Sequence, residues 1–198
     1  MKSLTQYSFV LALFLLFSSS IFAQAPATAD AVIKQACMQA KKEKKNVIVM
    51  FHASWCGWCK KMDASINDAA CKPLFDKSYV ITHLVVNESK GKENLENPGA
   101  KELLVKYHGD DQGIPYFFIF DAKGKLLADS KIRANGGDPG SDAKGENLGC
   151  PASDSEVDAF TSILKQTSAL NSAELETIKA RFRLNRPQPK AAAASTGR

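Results

Sequence analysis

The sequence predicts an α/β fold with a central mixed sheet of about four strands flanked by helices. Apolar strand-like runs alternate with helix-patterned segments along most of the chain, and a short glycine-containing turn joins two of those runs. The alternation calls for a parallel β-α-β unit, whereas the hairpin adds an antiparallel edge. The 198 residues, 44% of them hydrophobic and 24% charged, are typical of a globular protein with one core of ordinary size.

The first half of the chain provides two strands and their helices. Residues 28–45 place apolar side chains at three- and four-residue spacing, which predicts an amphipathic helix. Residues 46–51, NVIVMF, form a continuous apolar run typical of a central strand covered on both faces. Helix formers follow in residues 59–66, and residues 79–87 predict the second strand.

The second half predicts a helix, a hairpin and two further helices. Residues 100–108 have a helical pattern, residues 114–121 predict an aromatic strand, and Gly124 suits the positive φ of a hairpin turn. Ser153 with Glu156 is a capping-box signature for the next helix. The remaining segments are a partner strand at 125–132, an extended loop at 133–151, and helices at 153–166 and 172–184.

The first 25 residues have the layout of a secretory signal peptide. Lys2 supplies a positive charge, residues 9–17 are an unbroken apolar run, and small residues follow, with Ala23 and Ala25 as cleavage points. An uncleaved membrane anchor is the alternative, but crossing the hydrocarbon core needs about 20 apolar residues, and this run is shorter. We therefore expect an exported chain with no stable membrane anchor after cleavage, periplasmic in a bacterium and secreted otherwise.

The mature chain is predicted to consist of a domain at residues 26–170, a helical extension at 171–186 and a disordered tail at 187–198. The formal net charge of +5 is too small to indicate a nucleic-acid partner. The densest basic run, residues 41–45, closes a predicted helix, where cations interact favourably with the helix dipole.

The stretch HASWCGWCKK, residues 52–61, contains Cys56 and Cys59. A strand precedes this pair and a helix follows it, so Cys56 is expected at a helix N-terminus, where free N–H groups and the helix dipole stabilise a thiolate. Cys59 lies one helical turn further on, within disulfide reach. These positions predict Cys56 as the exposed nucleophile that forms a mixed disulfide, and Cys59 as the more buried thiol that resolves it.

Two other interpretations of the pair compete with redox chemistry. A zinc site needs four ligands, usually with a second close pair, and the remaining cysteines and histidines are scattered along the chain. A structural disulfide between residues three apart closes too small a loop to stabilise the fold much. Redox chemistry is therefore favoured, and no metal or organic cofactor is implied.

WCGWC directly after a hydrophobic strand, together with GIP opening an aromatic strand and the DAKGK turn, resembles the thioredoxin superfamily. The closest resemblance is to secreted thioredoxin-like proteins with a W-C-G-W-C-K motif, and it covers residues 29–166. It implies a three-layer thioredoxin-like fold in which Pro115 is cis and lies against the disulfide, while the Ile114 backbone pairs with an extended substrate segment. The predicted substrate-binding residues are Trp55, Gly57, Trp58, Ile114 and Pro115. For Trp55, an apolar docking surface and packing inside the fold are both open interpretations.

Two positions depart from thioredoxin itself. Trp58 stands where thioredoxin has proline inside the motif, and because the two inner residues tune the redox potential, strength as a reductant is not inherited. Met50 stands where thioredoxin has a buried acid that assists proton transfer at the resolving thiol, so either another group does this work or the step is slower. His52 is close by, and on a buried strand it is interpreted as a packed residue rather than a base.

Three cysteines remain outside the motif. Cys37 lies on the apolar stripe of the first predicted helix and is interpreted as a small buried hydrophobe. Cys71 and Cys150 are candidates for an auxiliary disulfide that would tether the glycine-rich loop, with two solitary thiols as the alternative.

Together these features predict an exported thiol–disulfide oxidoreductase that acts on protein disulfides through the CGWC dithiol/disulfide couple. Its partners would be proteins with disulfides or thiols and a further redox protein that exchanges electrons with the pair. The alternative is a thioredoxin-like binding or accessory module without turnover. The direction of electron flow, as a reductase, an oxidase or an isomerase, stays open.

Overall fold

A computed structural model of the protein describes residues 25–133 and 137–187. The predicted signal peptide lies outside the described residues except for Ala25, and the predicted tail lies outside them except for Pro187. The helices are α1 (Ala29–Glu43), α2 (Gly57–Ile66), α3 (Lys72–Ser78), α4 (Ala100–Lys106), α5 (Asp154–Thr167) and α6 (Ser172–Arg183), with a 3-10 turn at Glu93–Leu95. The strands are β1 (Asn46–His52), β2 (Tyr79–Val85), β3 (Tyr116–Phe120), β4 (Leu126–Asp129), β5 (Lys131–Ile132) and β6 (Glu146–Asn147).

The main sheet has four strands in the order β2-β1-β3-β4. Strands β1 and β2 are parallel and are connected through helices, whereas β3 is antiparallel to both β1 and β4. The predicted mixed sheet, with a parallel unit and an antiparallel hairpin edge, is confirmed. Gly124 has a φ of 82° in the β3–β4 turn, a conformation that glycine adopts without a steric penalty.

Helices cover both faces of the sheet. Side chains of the central strand β1 alternate between the two faces, so each face carries apolar residues that a helical layer buries. Ile48 and Met50 belong to the main core, which they form with α2, α3, α5 and α6. Val47, Val49 and Phe51 belong to a second core formed with α1 and α4. The result is the three-layer arrangement that the sequence predicts.

Two helix starts are capped by side chains, and the capping box of α5 is the one that the sequence predicts. Thr28 caps α1 by accepting a hydrogen bond from the Ala31 N–H. Ser153 caps α5, and Glu156 completes the capping box because its carboxylate accepts a bond from the Ser153 N–H at 2.9 Å. In both helices, the capping side chains accept hydrogen bonds from N–H groups that a helix start otherwise leaves unpaired.

The structure differs from the sequence predictions at two places. Helix α3 has no counterpart among the predicted elements: residues 67–73 contain chain breakers and a possible second helix cap, and proline fits the first turn of a helix as well as it ends one. The partner strand expected at 125–132 ends at Asp129, whose carboxylate accepts a hydrogen bond from the Lys131 N–H. The chain then turns, and β5, which falls in the last part of the predicted strand, pairs with β6, which falls in the segment predicted as an extended loop.

Helix α6 is part of the main core. Leu175, Ile178 and Phe182 are buried in the same cluster as the α5 residues, and the Phe182 ring lies 4.8 Å from the ring of Phe160. Within the described part of the chain, no helix combines the length and the apolar character needed to cross a bilayer.

Replacement of the buried α6 aromatic tests whether this helix is needed for the fold. Phe182→Ala is expected to lower the free energy of unfolding by about 3–5 kcal/mol, because it removes a fully buried ring and leaves a cavity. The matched control is Leu184→Ala, since Leu184 is 70% exposed, and its expected change is within about 0.5 kcal/mol. Urea denaturation measures both, and equal effects of the two changes would contradict the core role of α6.

Candidate active site

The cysteine pair lies where β1 passes into α2. Cys56 is the N-cap residue of α2, and a disulfide joins it to Cys59, with 5.3 Å between the two Cα atoms. The Cys59 N–H donates a hydrogen bond to Cys56 Sγ at 3.1 Å. A helix N-terminus therefore directs a donor at the sulfur of Cys56, as its expected position in the sequence predicts.

Both cysteines of the pair are buried when they form the disulfide. Cys56 is 2% exposed and Cys59 1%, so the expectation of an exposed Cys56 beside a more buried Cys59 is wrong for the oxidised pair. The physical reason is that Ala53 packs with both cysteines while the partly buried Ile114 closes over them.

The segment before β3 lies against the pair. The Ile114–Pro115 peptide bond is cis, as the resemblance implies, and the Ile114 carbonyl oxygen lies 3.7 Å from Cys56 Sγ. The Asn147 side chain donates hydrogen bonds to the carbonyl oxygens of Gly113 and Pro115, at 2.7 and 3.0 Å. Asn147 is absent from the sequence predictions because it belongs to a two-residue strand with no alternating pattern.

Trp55 stands out from the surface beside the pair. It is 55% exposed, and its indole N–H donates to the Asn87 carbonyl oxygen at 2.8 Å. Next to it, the Ser54 hydroxyl and N–H both donate to the carboxylate of Glu88, and the Ser54 N–H holds the pKa of that carboxyl below its usual value. Packing inside the fold is therefore wrong for Trp55. Its neighbours Asn87 and Glu88 are supporting residues that the sequence does not reveal, since Asn87 closes the predicted second strand and Glu88 follows it.

Trp58 forms a second exposed aromatic surface on the other side of the motif. It is 45% exposed, and the Lys61 ammonium lies 4.6 Å from the centre of its ring, a cation–π distance. Lys61 also donates to the Asn185 carbonyl oxygen at 3.0 Å, which ties the tryptophan to the end of α6. A Cβ at Gly57 would meet no atom within 4 Å, so the space beside this residue of the motif is open.

A groove of about 450 Å³ opens beside the cysteine pair. Trp58, Ile114 and Pro115 line one part of it. The opposite part comes from the turn after β6 and from the end of the described chain, and includes Leu148, Cys150 and Arg186. The structure therefore brings three of the predicted substrate-binding residues to one groove, while Trp55 and Gly57 lie outside its lining.

The position of the buried acid in thioredoxin is apolar here. Met50 is buried in the main core. His52, two residues further along β1, is half-buried, and its ring lies 5.0 Å from that of His83, which contacts Asp63 at 2.8 Å. Burial, and next the neighbouring His83, lower the pKa of His52, so that its imidazole is neutral at physiological pH.

The three other cysteines are free thiols. Cys71 and Cys150 are buried in the main core and form no auxiliary disulfide, so that expectation is wrong for this structure. Cys71 stands at the start of α3, while Cys150 Sγ accepts a hydrogen bond from the Asn185 amide at 3.5 Å. Cys37 is only half-buried, and its Sγ lies 3.8 Å from the Asp121 carbonyl oxygen.

Burial keeps these thiols protonated. It raises the pKa of Cys71 to about 11 and that of Cys150 to about 12, and it also raises the pKa of Cys37. Among residues 25–133 and 137–187, no group of three or more His, Cys, Asp and Glu side chains is arranged to hold a metal ion.

A four-stranded mixed sheet between helical layers, with a disulfide at a helix N-terminus beside a cis-proline segment, defines a thioredoxin-fold protein with a redox-type cysteine pair. Residues 28–122 match the protein family described as Thioredoxin-like. The chain thus carries a domain of the thioredoxin-like family, which confirms the resemblance. The family and the cysteine pair together support thiol–disulfide oxidoreductase chemistry.

Individual relatives are distant. Protein disulfide-isomerase A5 from Bos taurus is 34% identical over 70 residues, which make up 35% of this chain and only 12% of that protein. A disulphide isomerase from Xylella fastidiosa Temecula1 is 25% identical at a TM-score of 0.42, covering 55% of this chain and 80% of the other. A thioredoxin from Thermus thermophilus is 20% identical at a TM-score of 0.34, covering 50% of this chain and 65% of the other.

Alkylation of the native protein tests whether burial keeps Cys71 and Cys150 unreactive. At pH 8, Cys71 and Cys150 are expected to resist iodoacetamide, because pKa values near 11 and 12 leave a thiolate fraction of about one in a thousand or less. Mass spectrometry of native and urea-unfolded protein measures the labelling, with the unfolded chain as the control that labels fully. Native labelling of Cys150 as fast as that of half-buried Cys37 would contradict the prediction.

Proposed function

We propose that this protein is an exported thiol–disulfide oxidoreductase that acts on protein disulfides. One observation carries the proposal: the Cys56–Cys59 disulfide lies at the N-terminus of α2, with a backbone N–H directed at Cys56 Sγ and the Ile114 carbonyl 3.7 Å away. The donor favours sulfur as a thiolate, which is both the attacking form and the better leaving group.

In the reducing direction, the Cys56 thiolate attacks one sulfur of a substrate disulfide. A mixed disulfide forms between Cys56 and the substrate, and the other substrate sulfur leaves as a thiolate that takes up a proton. The Cys59 thiolate then attacks Cys56 Sγ, which restores the Cys56–Cys59 disulfide and releases the substrate as a dithiol. The substrate gains two electrons and two protons, and the protein pair loses them to it.

The same steps run backwards when the pair starts as a disulfide and the substrate as a dithiol. Trp58 between the cysteines replaces the proline of thioredoxin, so the potential of the pair has to be measured. A strongly reducing potential supports a reductase, and an oxidising one supports an oxidase or isomerase. A glutathione titration followed by mass spectrometry of the alkylated pair gives this potential.

The surroundings of the pair favour a protein substrate. Trp55, directly before the pair, and Trp58, between its two cysteines, present exposed aromatic surface, and single exposed aromatics of this kind serve well as contact anchors. The strand ladder of β3 begins at Tyr116, so the peptide groups of Ile114 lie outside it. An extended substrate segment could pair with these groups beside Cys56, in the manner of an added strand.

Dithiothreitol-driven reduction of insulin tests the activity. The unchanged protein is expected to accelerate precipitation of the insulin B chain, and Cys56→Ser to return the rate to that of buffer, because the attacking sulfur is gone. When Cys59→Ser is reduced, freed of dithiothreitol and then mixed with insulin, a mixed disulfide is expected to accumulate on a non-reducing gel, because the resolving thiol is gone and no other reductant is present.

Cys37→Ser is the matched control, since Cys37 is a half-buried free thiol outside the site, and its insulin activity should equal that of the unchanged protein. No acceleration by the unchanged protein, or full activity of Cys56→Ser, would rule out the enzyme. Either result would favour a binding module in which the cysteine pair does not turn over.

Export rests on the apolar run 9–17 and the small residues after it. Expression of the full chain in a bacterium is expected to yield a periplasmic protein whose N-terminus begins after Ala23 or Ala25. Edman sequencing or intact mass of the periplasmic fraction checks this, and a full-length protein retained in the cytoplasm would contradict it. A variant with Leu13→Arg should stay uncleaved, because a charge interrupts the apolar run.

A further inference from the structure

The side chain of Asn147 joins three segments around the site. Its Nδ2 donates to the carbonyl oxygens of Gly113 and Pro115, at 2.7 and 3.0 Å. Its Oδ1 accepts from the Ser130 hydroxyl at 2.7 Å and from the Gly149 N–H at 3.0 Å. Both donors and both acceptor positions of the amide are therefore used. The two carbonyl oxygens can only accept and the Gly149 N–H can only donate. The Asn147 amide therefore fits these partners in one orientation and not in the flipped one.

The two carbonyls that Asn147 binds stand on either side of Ile114. These carbonyls belong to the peptide group before Ile114 and to the one after Pro115, so Asn147 holds both ends of the Ile114–Pro115 unit and restricts the direction of the Ile114 backbone between them. The β3 ladder starts only at Tyr116 and does not hold this segment. Asn147 is thus the polar side chain that sets the orientation of the Ile114 backbone, whose carbonyl oxygen lies beside Cys56 Sγ.

The other half of the amide is anchored in rigid structure. Ser130 is fully buried, its N–H donates to the Phe117 carbonyl at 3.0 Å, and its own carbonyl accepts from the Leu148 N–H at 2.7 Å. Asn147 itself pairs with Lys131 between β5 and β6. The position of the amide is therefore set by Ser130 and by the pairing of β5 with β6.

We propose that Asn147 is a positioning residue for protein substrates. This proposal rests on the proposed function and names a residue that prepares the same site. Asn147 holds the Ile114 backbone ready to pair with an extended substrate segment, and through Gly149 it holds the turn that forms the opposite wall of the groove. It touches neither sulfur, so it acts on substrate binding and leaves the chemistry of the cysteine pair unchanged.

Kinetics with a large and a small disulfide test this role. Asn147→Ala is expected to raise KM for insulin about tenfold with kcat nearly unchanged, because binding that is equal in the ground and transition states is lost. Hydroxyethyl disulfide has no peptide backbone that could pair with Ile114. Its rate of reduction should therefore change less than about twofold in Asn147→Ala, because the change removes only the binding of a peptide segment. The redox potential of Cys56–Cys59 should equal that of the unchanged protein.

The matched control is Asn46→Ala. Asn46 also uses its amide to hold a backbone carbonyl, that of Thr167 at 2.7 Å, but it lies at the opposite end of β1 from the cysteines. Loss of this bond is expected to leave KM for insulin unchanged, even where it lowers the unfolding midpoint. A structural role alone would make the two variants alike.

The outcomes separate the proposals. An inactive unchanged protein removes the proposed function, and the role of Asn147 with it. An active unchanged protein with the same insulin KM in Asn147→Ala, or with equal losses for both disulfides, overturns only the positioning role. If Asn147→Ala does not fold, Ser130→Ala replaces it: this change removes one support of the amide and should raise the insulin KM in the same direction by a smaller factor, and an unchanged KM contradicts the role.

Discussion

The antiparallel pairing of β1 with β3 is the constraint on which the site depends. Phe51 stands opposite Tyr116 in this ladder, so the carboxyl end of β1 lies beside the amino end of β3. The cysteine pair follows β1 and the Ile114–Pro115 segment precedes β3, which places two segments far apart in sequence against each other. A shift of β3 by one residue against β1 would turn the side chains of β3 to the opposite faces of the sheet, so the packing of the two hydrophobic cores fixes the site geometry.

Features with a local physical cause could be predicted from the sequence. β1 is recognisable because its residues are apolar without a break, and Cys56 becomes an N-cap because a helix must begin soon after such a strand. The capping box of α5 depends only on Ser153 and Glu156. Helix α3 could not be predicted with the same ease, since seven residues that include proline carry a weak helical signal.

Features that depend on distant contacts could not be predicted. Trp55 is held by the carbonyl of Asn87, which follows β2, and nothing near Trp55 in the sequence indicates this partner. Asn147 follows a glycine-rich stretch whose composition indicates only a loop, and its partners come from three other places in the chain. The cysteines indicate the chemistry of the site from the sequence alone. The residues that hold the site in place can be identified only once the pairing of the strands is known.

The C-terminal helix connects the core to the active-site helix. Asn185, at the end of α6, is buried, and its Oδ1 accepts a hydrogen bond from Ser65 of α2 at 3.0 Å while its Nδ2 donates to the Pro151 carbonyl at 3.1 Å. Its own carbonyl accepts from Lys61, the residue that lies over Trp58. A buried side chain with every partner satisfied restricts its neighbours to one arrangement. The segment beyond the family match at residues 28–122 is therefore structurally coupled to the motif itself.

The distribution of cysteines separates reactive from unreactive sulfur within one chain. Five cysteines allow many wrong pairings, and an odd number leaves at least one thiol without an internal partner. Burial keeps Cys71 and Cys150 in the protonated form, which neither attacks disulfides nor competes for the mixed disulfide. At Cys56 the helix N-terminus acts in the opposite sense, because a backbone N–H is directed at the sulfur. The fold thus favours exchange at the motif over exchange at the buried thiols, and it does so through solvation and one hydrogen-bond donor.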